Sequence, residues 1–541
     1  MNISLPIIIL FVILLFILLI LFYVSCNATT SKCDDGEYDY IVCGLGSAGA
    51  IIASELANKG FRVLAIERGD NRNNDEIIKN ASFSTIPASL AQYSTTYSGN
   101  GLAIGVPPFI KRNEYVFGKM WGGSTGVNYM ARVRPDKVWH QKLADLVNDD
   151  GFTYNNFLPY YKKTETYIGS SQQANQRGEN GKIKITQQKI ENDDYSEWFE
   201  GLSQASGVTM LDDYNTGEAL VSSPYFQRSF YYDGDKMIRS WSGVYLEGVS
   251  NRLTILSNSN VSRILFRHKK AIGVEVIEGD GCRPYFCNKE IIICNGLESS
   301  CLLERSGIGN KDILSQYNIP VIYENNQVGE NFYDHVGATP FVLLKPELRK
   351  YAFSVILGHI QDGIIDKPEI PFTSDDERNL EFLFAQVLDY GEDRNEQQPI
   401  YCATWNLNPQ TRGSIHIGGP AMSEPIIQLD DKEDLRVVAK YIREILVPYL
   451  SDTNTGFVLI PPEILGDEDK LIDYLWDVAF TRGYHYVGQC SIGKVVDSKL
   501  KVLGIENVRI ADNSVYPIIP PCHTSITAQA IGFYALDVLF E

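Results

Sequence analysis

The chain opens on an uninterrupted apolar run. Leu5 to Val24 is uncharged and dominated by Ile, Leu, Phe and Val. At about 1.5 Å per residue its length matches the roughly 30 Å hydrocarbon core of a bilayer. No face of the run is polar, which excludes an amphipathic core helix. The pattern predicts an uncleaved N-terminal membrane anchor over residues 1–36, with a cleaved signal as the alternative. Met1 to Ser4 carries no Lys or Arg, and Asp34, Asp35 and Glu37 follow Lys32, so the flanks give almost no orientation. The globular body is expected from residue 37.

There the pattern changes. Tyr38 to Cys43 is a β-prone run that stops at glycines, Gly44-Leu-Gly46-Ser47-Ala-Gly49, before a helix-like stretch to Asn58. Gly60, a second β-prone run over Arg62 to Ile66 and the acid Glu67 follow. Strand, tight turn, helix, strand and acid in this order suit an ADP moiety. Gly44 permits the turn, Gly46 lets backbone approach a pyrophosphate, and Gly49 lets the helix pack on the sheet. The helix N-terminus faces the phosphates. Glu67, 23 residues after Gly44, is spaced to accept hydrogen bonds from a ribose. Its carboxylate disfavours a 2′-phosphate, leaving FAD and NAD.

Composition narrows the partners. The 541 residues carry 48 Lys and Arg against 67 Asp and Glu, a formal charge of -19, with no basic run. Nucleic acid is therefore not an expected partner. The ten Cys show no paired CxxC or zinc spacing, so no metal site is expected, and only Cys282 and Cys287 invite a bridge across a turn. A second glycine cluster, Gly118-Lys-Met-Trp121-Gly122-Gly123-Ser124-Thr-Gly-Val-Asn128, offers backbone, hydroxyls and an amide to a flat polar ligand.

That cluster resembles the first signature of the glucose–methanol–choline oxidoreductases, FAD-dependent alcohol oxidases and dehydrogenases. Further stretches resemble the same family in the same order. They are Met237 to Tyr245, Asn260 to Phe266 with Ala271 to Glu275, Asn295 to Leu303 with Ser306 to Gly309, and Val328 to His335. The resemblance implies an α/β fold: a Rossmann-like FAD domain over 37–150, 227–335 and 480–541 around a mostly parallel sheet, and a substrate domain over 151–226 and 336–479 on an antiparallel one. It implies that the Val261 backbone meets the adenine and that Arg509 to Pro517, with Asp512, returns the chain to the flavin. No His follows the Gly122–Thr125 cluster, where covalently flavinylated members carry one, so the FAD is expected to be non-covalent.

Tyr484-His485-Tyr-Val-Gly-Gln-Cys490 is similar to the family's Y-H-P-V-G-T-C, and Pro520 to Thr524 aligns with the element supplying a second catalytic residue. The resemblance makes His485 the general base and His523 its partner. An imidazole titrates near working pH, where a base is most effective. His335 is expected to support the cofactor or the fold, and His140, His268, His359 and His416 to be surface or packing residues. The expected activity is oxidation of a small alcohol by hydride transfer to FAD, on a lumenal, extracellular or secreted body. Ile66 to Gly69 and Gly493 to Asp497 resemble the mandelonitrile-lyase branch, which makes a cyanohydrin lyase the alternative enzyme. An anchored structural protein on the same fold is the third reading.

Overall fold

The computed structural model describes residues 37–82, 85–98, 114–188, 193–278, 281–345, 348, 353–358, 377–385, 400–419 and 424–541. The anchor expected over Leu5 to Val24 lies outside the described residues. Among those described, no helix is long and apolar enough to cross a membrane.

Two sheets carry the architecture. The first has seven strands, in the order Leu253–Leu256, Val63–Ile66, Tyr38–Cys43, Gly281–Ile293, Lys270–Glu278 and Asn260–Arg267, with Val508–Ile510 also paired to Gly281–Ile293. Its central strands read as continuous apolar runs because helices cover them: Ile41, Val42, Cys43, Val63, Leu64 and Ala65 are fully buried. The helix Gly49–Asn58 packs there through Ile51, Ile52 and Leu56. Gly281–Ile293 serves two pairings. Its first half is antiparallel to Lys270–Glu278 and its second half parallel to Tyr38–Cys43 and Val508–Ile510. The sheet is thus mixed, parallel where the glycine turn leaves it and antiparallel at the far edge.

The second sheet has nine strands and is almost wholly antiparallel. It runs Gly456–Val458, Phe341–Leu344, Ile400–Asn406, Leu380–Ala385, Phe353–Gly358, Val221–Ser223 and Thr209–Met210, while Val336–Ala338 joins Ile400–Asn406 to Phe480–Arg482. One face rests on a core that includes Trp198, Phe199, Val438, Tyr441 and Leu446. Strand alternation therefore sends Leu380, Phe382 and Cys402 into that core and leaves Glu381, Leu383, Ala403 and Trp405 for the other face.

The Cys282–Cys287 bridge does not form. Both thiols are free. Five positions apart on one extended strand, they stand about 16 Å from each other, far beyond disulfide reach.

Candidate active site

The glycine turn is built by backbone against backbone. Gly44 has φ +89°, and its N–H donates to Ile66 O at 2.8 Å. A Cβ on Gly49 would lie 2.0 Å from Gly44 O, and one on Gly123 would lie 2.8 Å from Gly46 Cα. The two glycine loops are therefore packed together, and Gly122 N–H donates to Leu45 O at 2.8 Å. Gly46 differs: a Cβ there meets nothing within 4 Å, because its face opens on a cavity of about 520 Å³. Behind Gly46 the helix Gly49–Asn58 begins at Ala48 with no side-chain cap. Ala50 N–H donates to Gly46 O at 3.1 Å, and the helix N-terminus with its partial positive charge faces whatever enters the cavity.

Glu67 closes this end. One carboxylate oxygen accepts from Leu45 N–H at 2.9 Å and the other from Gly69 N–H at 2.8 Å. Burial pushes its carboxyl up, against the pull of these two donors. Each oxygen keeps lone-pair capacity on the cavity side, which two adjacent ligand hydroxyls would fill. Asp512 accepts from Gly296 N–H at 2.9 Å and Ser299 Oγ–H at 2.6 Å on the same wall. An open Gly46, an uncapped helix and a carboxylate in need of donors fit a dinucleotide.

The other end is a wall of histidines. His335 Nδ1 and His485 Nδ1 are hydrogen-bonded at 2.8 Å. The His485 and His523 rings lie 5.1 Å apart. His523 Nε2 is hydrogen-bonded to Glu381 Oε1 at 2.9 Å, and Trp405 meets the His523 ring edge-on at 5.8 Å. His485 sits in a loop whose preceding residue, Tyr484, has φ +57°. Asp334 holds that bend by accepting from Tyr484 N–H at 3.1 Å and His485 N–H at 2.6 Å. Thus Asp334 fixes the backbone of His485, and its neighbour His335 fixes the ring.

Burial and the charge His335 and His523 would carry together hold His485 well below the ordinary imidazole value. Burial, with His523, takes His335 to about 3. Both rings are held as neutral imidazoles, and for His485 this overturns the expectation of titration near working pH, because burial and two neighbouring imidazoles disfavour its charged form. Asp334 is pushed up to about 7 by burial, opposed by Arg482 and its two N–H donors.

One cavity is lined by Gly44, Gly46, Ser47, Glu67, Gly118, Gly123, Ser124, Asn128, Val261, Asp512, His485 and His523. Gly49 and Gly122 do not line it. Gly49 sits against Gly44, and a Cβ on Gly122, at φ +84°, would lie 2.5 Å from Gly243 N. Sequence reasoning missed Glu381, Asp334 and the ring contact of His335. The Asp334-His335 pair lay in a recognised stretch, whereas nothing near Glu381 marked it. It also missed that the helix Ser525–Leu539, uncapped at Thr524, begins beside His523 on the cavity wall.

Two models of the GMC oxidoreductase family match the chain, over residues 38–337 and 409–532. Oxygen-dependent choline dehydrogenase of Escherichia coli is 27% identical over 556 aligned residues, covering 93% of this chain and 95% of its own. The protein of the same name from Citrobacter koseri is 28% identical over 553, covering 93% and 95%. A formate oxidase structure superposes with a TM-score of 0.79 at 22% identity, covering 94% of this chain and 98% of its own. Pyridoxine 4-oxidase from Mesorbium loti does so with a TM-score of 0.76 at 22% identity, covering 93% and 99%.

Proposed function

The chain belongs to the GMC oxidoreductase family, and on that premise we propose that it oxidises the CH–OH group of a small alcohol, with FAD in the cavity and His485 as the base. The observation that carries this reading is that the dinucleotide cradle and the neutral His485 line one continuous cavity. Gly46, Ser47, Glu67, Gly118, Gly123, Ser124, Asn128, Val261 and Asp512 would hold the cofactor, with Gly44, Gly49 and Gly122 shaping the loops behind them. When bound, FAD supplies the acceptor for the carbon-bound hydrogen and its electron pair. Val127 and Asn128, in the place of a linking His, favour non-covalent binding.

The chain's own residues handle the oxygen and its proton. With Nδ1 of His485 engaged by His335, Nε2 is the nitrogen that takes the hydroxyl proton. His523, hydrogen-bonded through Nε2 to Glu381, stands with its ring 5.1 Å from that of His485 and helps to position the substrate hydroxyl beside it. The open N-terminus of Ser525–Leu539 adds partial positive charge where negative charge develops. Val487, where the lyase branch has a second His, is packed with Tyr333 and Ile519 and does not line the cavity, which favours oxidation over cyanohydrin cleavage.

The FAD domain is assigned to 37–150, 227–335 and 480–541, and the substrate domain to 151–226 and 336–479. Each of the two large sheets draws its strands from one of these sets, except that Phe480–Arg482 pairs with Val336–Ala338, which argues for a last boundary near residue 483.

The test is a visible spectrum of the purified full chain during anaerobic titration with alcohols. Bound flavin that bleaches supports the reading, and protein that neither carries nor takes up FAD overturns it. Flavin reduced equally fast in His485→Ala removes His485 as the base.

A further inference from the structure

We propose that the substrate is an uncharged alcohol with a hydrocarbon chain, its hydroxyl between His485 and His523 and its chain running out over Phe341, Leu459 and Ile460 into a surface groove. This deepens the reading of the site as an alcohol-oxidising centre and rests on it.

The path follows from strand register. Glu381 lies opposite Trp405 and Leu383 opposite Ala403, all on the cavity face of the second sheet. Glu381 and Trp405 touch His523. Two residues further along, Leu383 and Ala403 continue the wall with aliphatic side chains. Two further again, Tyr401 is in register with Phe341, which also lines the cavity. Trp405 to Tyr401 is about 13 Å of strand. There Leu459 N–H donates to Phe341 O at 2.8 Å, bringing Leu459 and Ile460 alongside. These two residues line both the cavity and a neighbouring surface groove walled by Val447, Leu450, Phe457 and Leu465. Leu459 and Ile460 are thus the wall that cavity and groove share.

The mouth is apolar where a surface should not be. Phe457 is 55% exposed, Val478 45% and Leu459 41%. Singly exposed apolar residues need no explanation, but here Leu459 and Val478 line the cavity while Phe457 and Leu459 line the adjoining groove, and such a run marks a binding surface. The occupant that gains by covering them is a hydrocarbon.

Charge points the same way. Among the described residues lining the cavity, Glu67, Arg68, Glu298 and Asp512 are engaged with each other or with backbone at the dinucleotide end. Arg482 is held by Asp431 at 2.7 Å. Glu381 is 1% exposed and committed to His523. A quaternary ammonium head finds no free carboxylate among these groups, and among the described residues Leu383, Ala403, Phe341, Leu459 and Ile460 line the cavity with apolar side chains.

The experiment compares n-butanol, n-octanol, n-decanol, choline and glucose as reductants of the FAD-loaded full chain under anaerobic conditions. kcat/KM is expected to rise about fourfold per added methylene until the groove is filled, with choline and glucose far below n-decanol. Leu459→Asp is expected to lower the n-decanol value more than about tenfold, leave n-butanol within about twofold, and leave flavin absorbance unchanged. Reduction by n-butanol with no gain from the longer alcohols, or preference for choline or glucose, overturns this inference and leaves the oxidation reading intact. If no alcohol reduces the flavin, the oxidation reading fails. Calorimetric binding of n-decanol to His485→Ala, weakened more than about tenfold by adding Leu459→Asp, then decides the inference: binding unchanged by that substitution, or no binding, overturns it.

Discussion

The two ends of the cavity are made of different material. The dinucleotide end is backbone: Gly44, Gly46, Gly49 and Gly123 bring main chain against main chain, and the groups offered to a ligand are N–H donors, with Glu67 as one placed acid. The histidine end is side chains, brought from Asp334-His335, Glu381, Trp405, His485 and His523. Backbone surfaces need closely spaced glycines, so they are written as short contiguous motifs. Side-chain clusters need only that distant segments meet, so each contributor is one residue in unrelated surroundings. One end should therefore fail in cofactor retention and the other in chemistry.

The sharpest separation comes from His485→Ala. Alcohol-dependent flavin reduction should fall by about a hundredfold to ten-thousandfold, while flavin absorbance per chain stays constant; joint loss would mean that His485 also holds the cofactor. Gly49→Val strikes the other end. With a Cβ 2.0 Å from Gly44 O, it should cost about 3 kcal/mol in a denaturant titration and empty the protein of flavin. Retained flavin would break the account of the packed turn.

Glu67→Ala is gentler. It removes the acceptor for the ligand's two hydroxyls and should weaken FAD binding by about 1–3 kcal/mol, read by equilibrium dialysis, while the unpaired Leu45 and Gly69 N–H groups lower the melting temperature of the FAD-free chain by a few degrees. The smallest effect is a pH slope from Asp334→Asn. The folded value of Asp334, about 7, lies above the unfolded value of 3.8. Between them the folded chain binds a proton that the unfolded chain does not, so this group's contribution to stability falls as pH rises through that window. The urea midpoint should fall more between about pH 5 and pH 7 in the native chain than in Asp334→Asn. Equal slopes would mean that the carboxyl titrates in its ordinary range.

How much was readable follows the same division. Tyr38 to Glu67 announced strand, turn, helix, strand and acid, and each appears where the pattern placed it. His140 and His416, expected as surface or packing residues, are held by Phe152 O and Tyr161, and by Glu304 and Glu330. His335 was read as support for the cofactor or the fold, and its bond to the ring of His485 was not foreseen. Glu381 was invisible because its meaning lies in a strand pairing, with Trp405 opposite and His523 above, that no local pattern encodes.

By itself the sequence determined what depends on neighbours along the chain: the apolar runs that become central strands, the glycines whose missing Cβ permits the turn, and the acid at ribose spacing. Only the tertiary structure decided what depends on neighbours across space. It set the mixed pairing of Gly281–Ile293, the clamp of Asp334 and His335 on His485, the pairing of Glu381 with His523, and the apolar path past Phe341 and Leu459. The physical reason is that backbone conformation is set by a few adjacent residues, whereas the burial, hydrogen bonding and titration of a side chain are set by whichever distant segments fold around it.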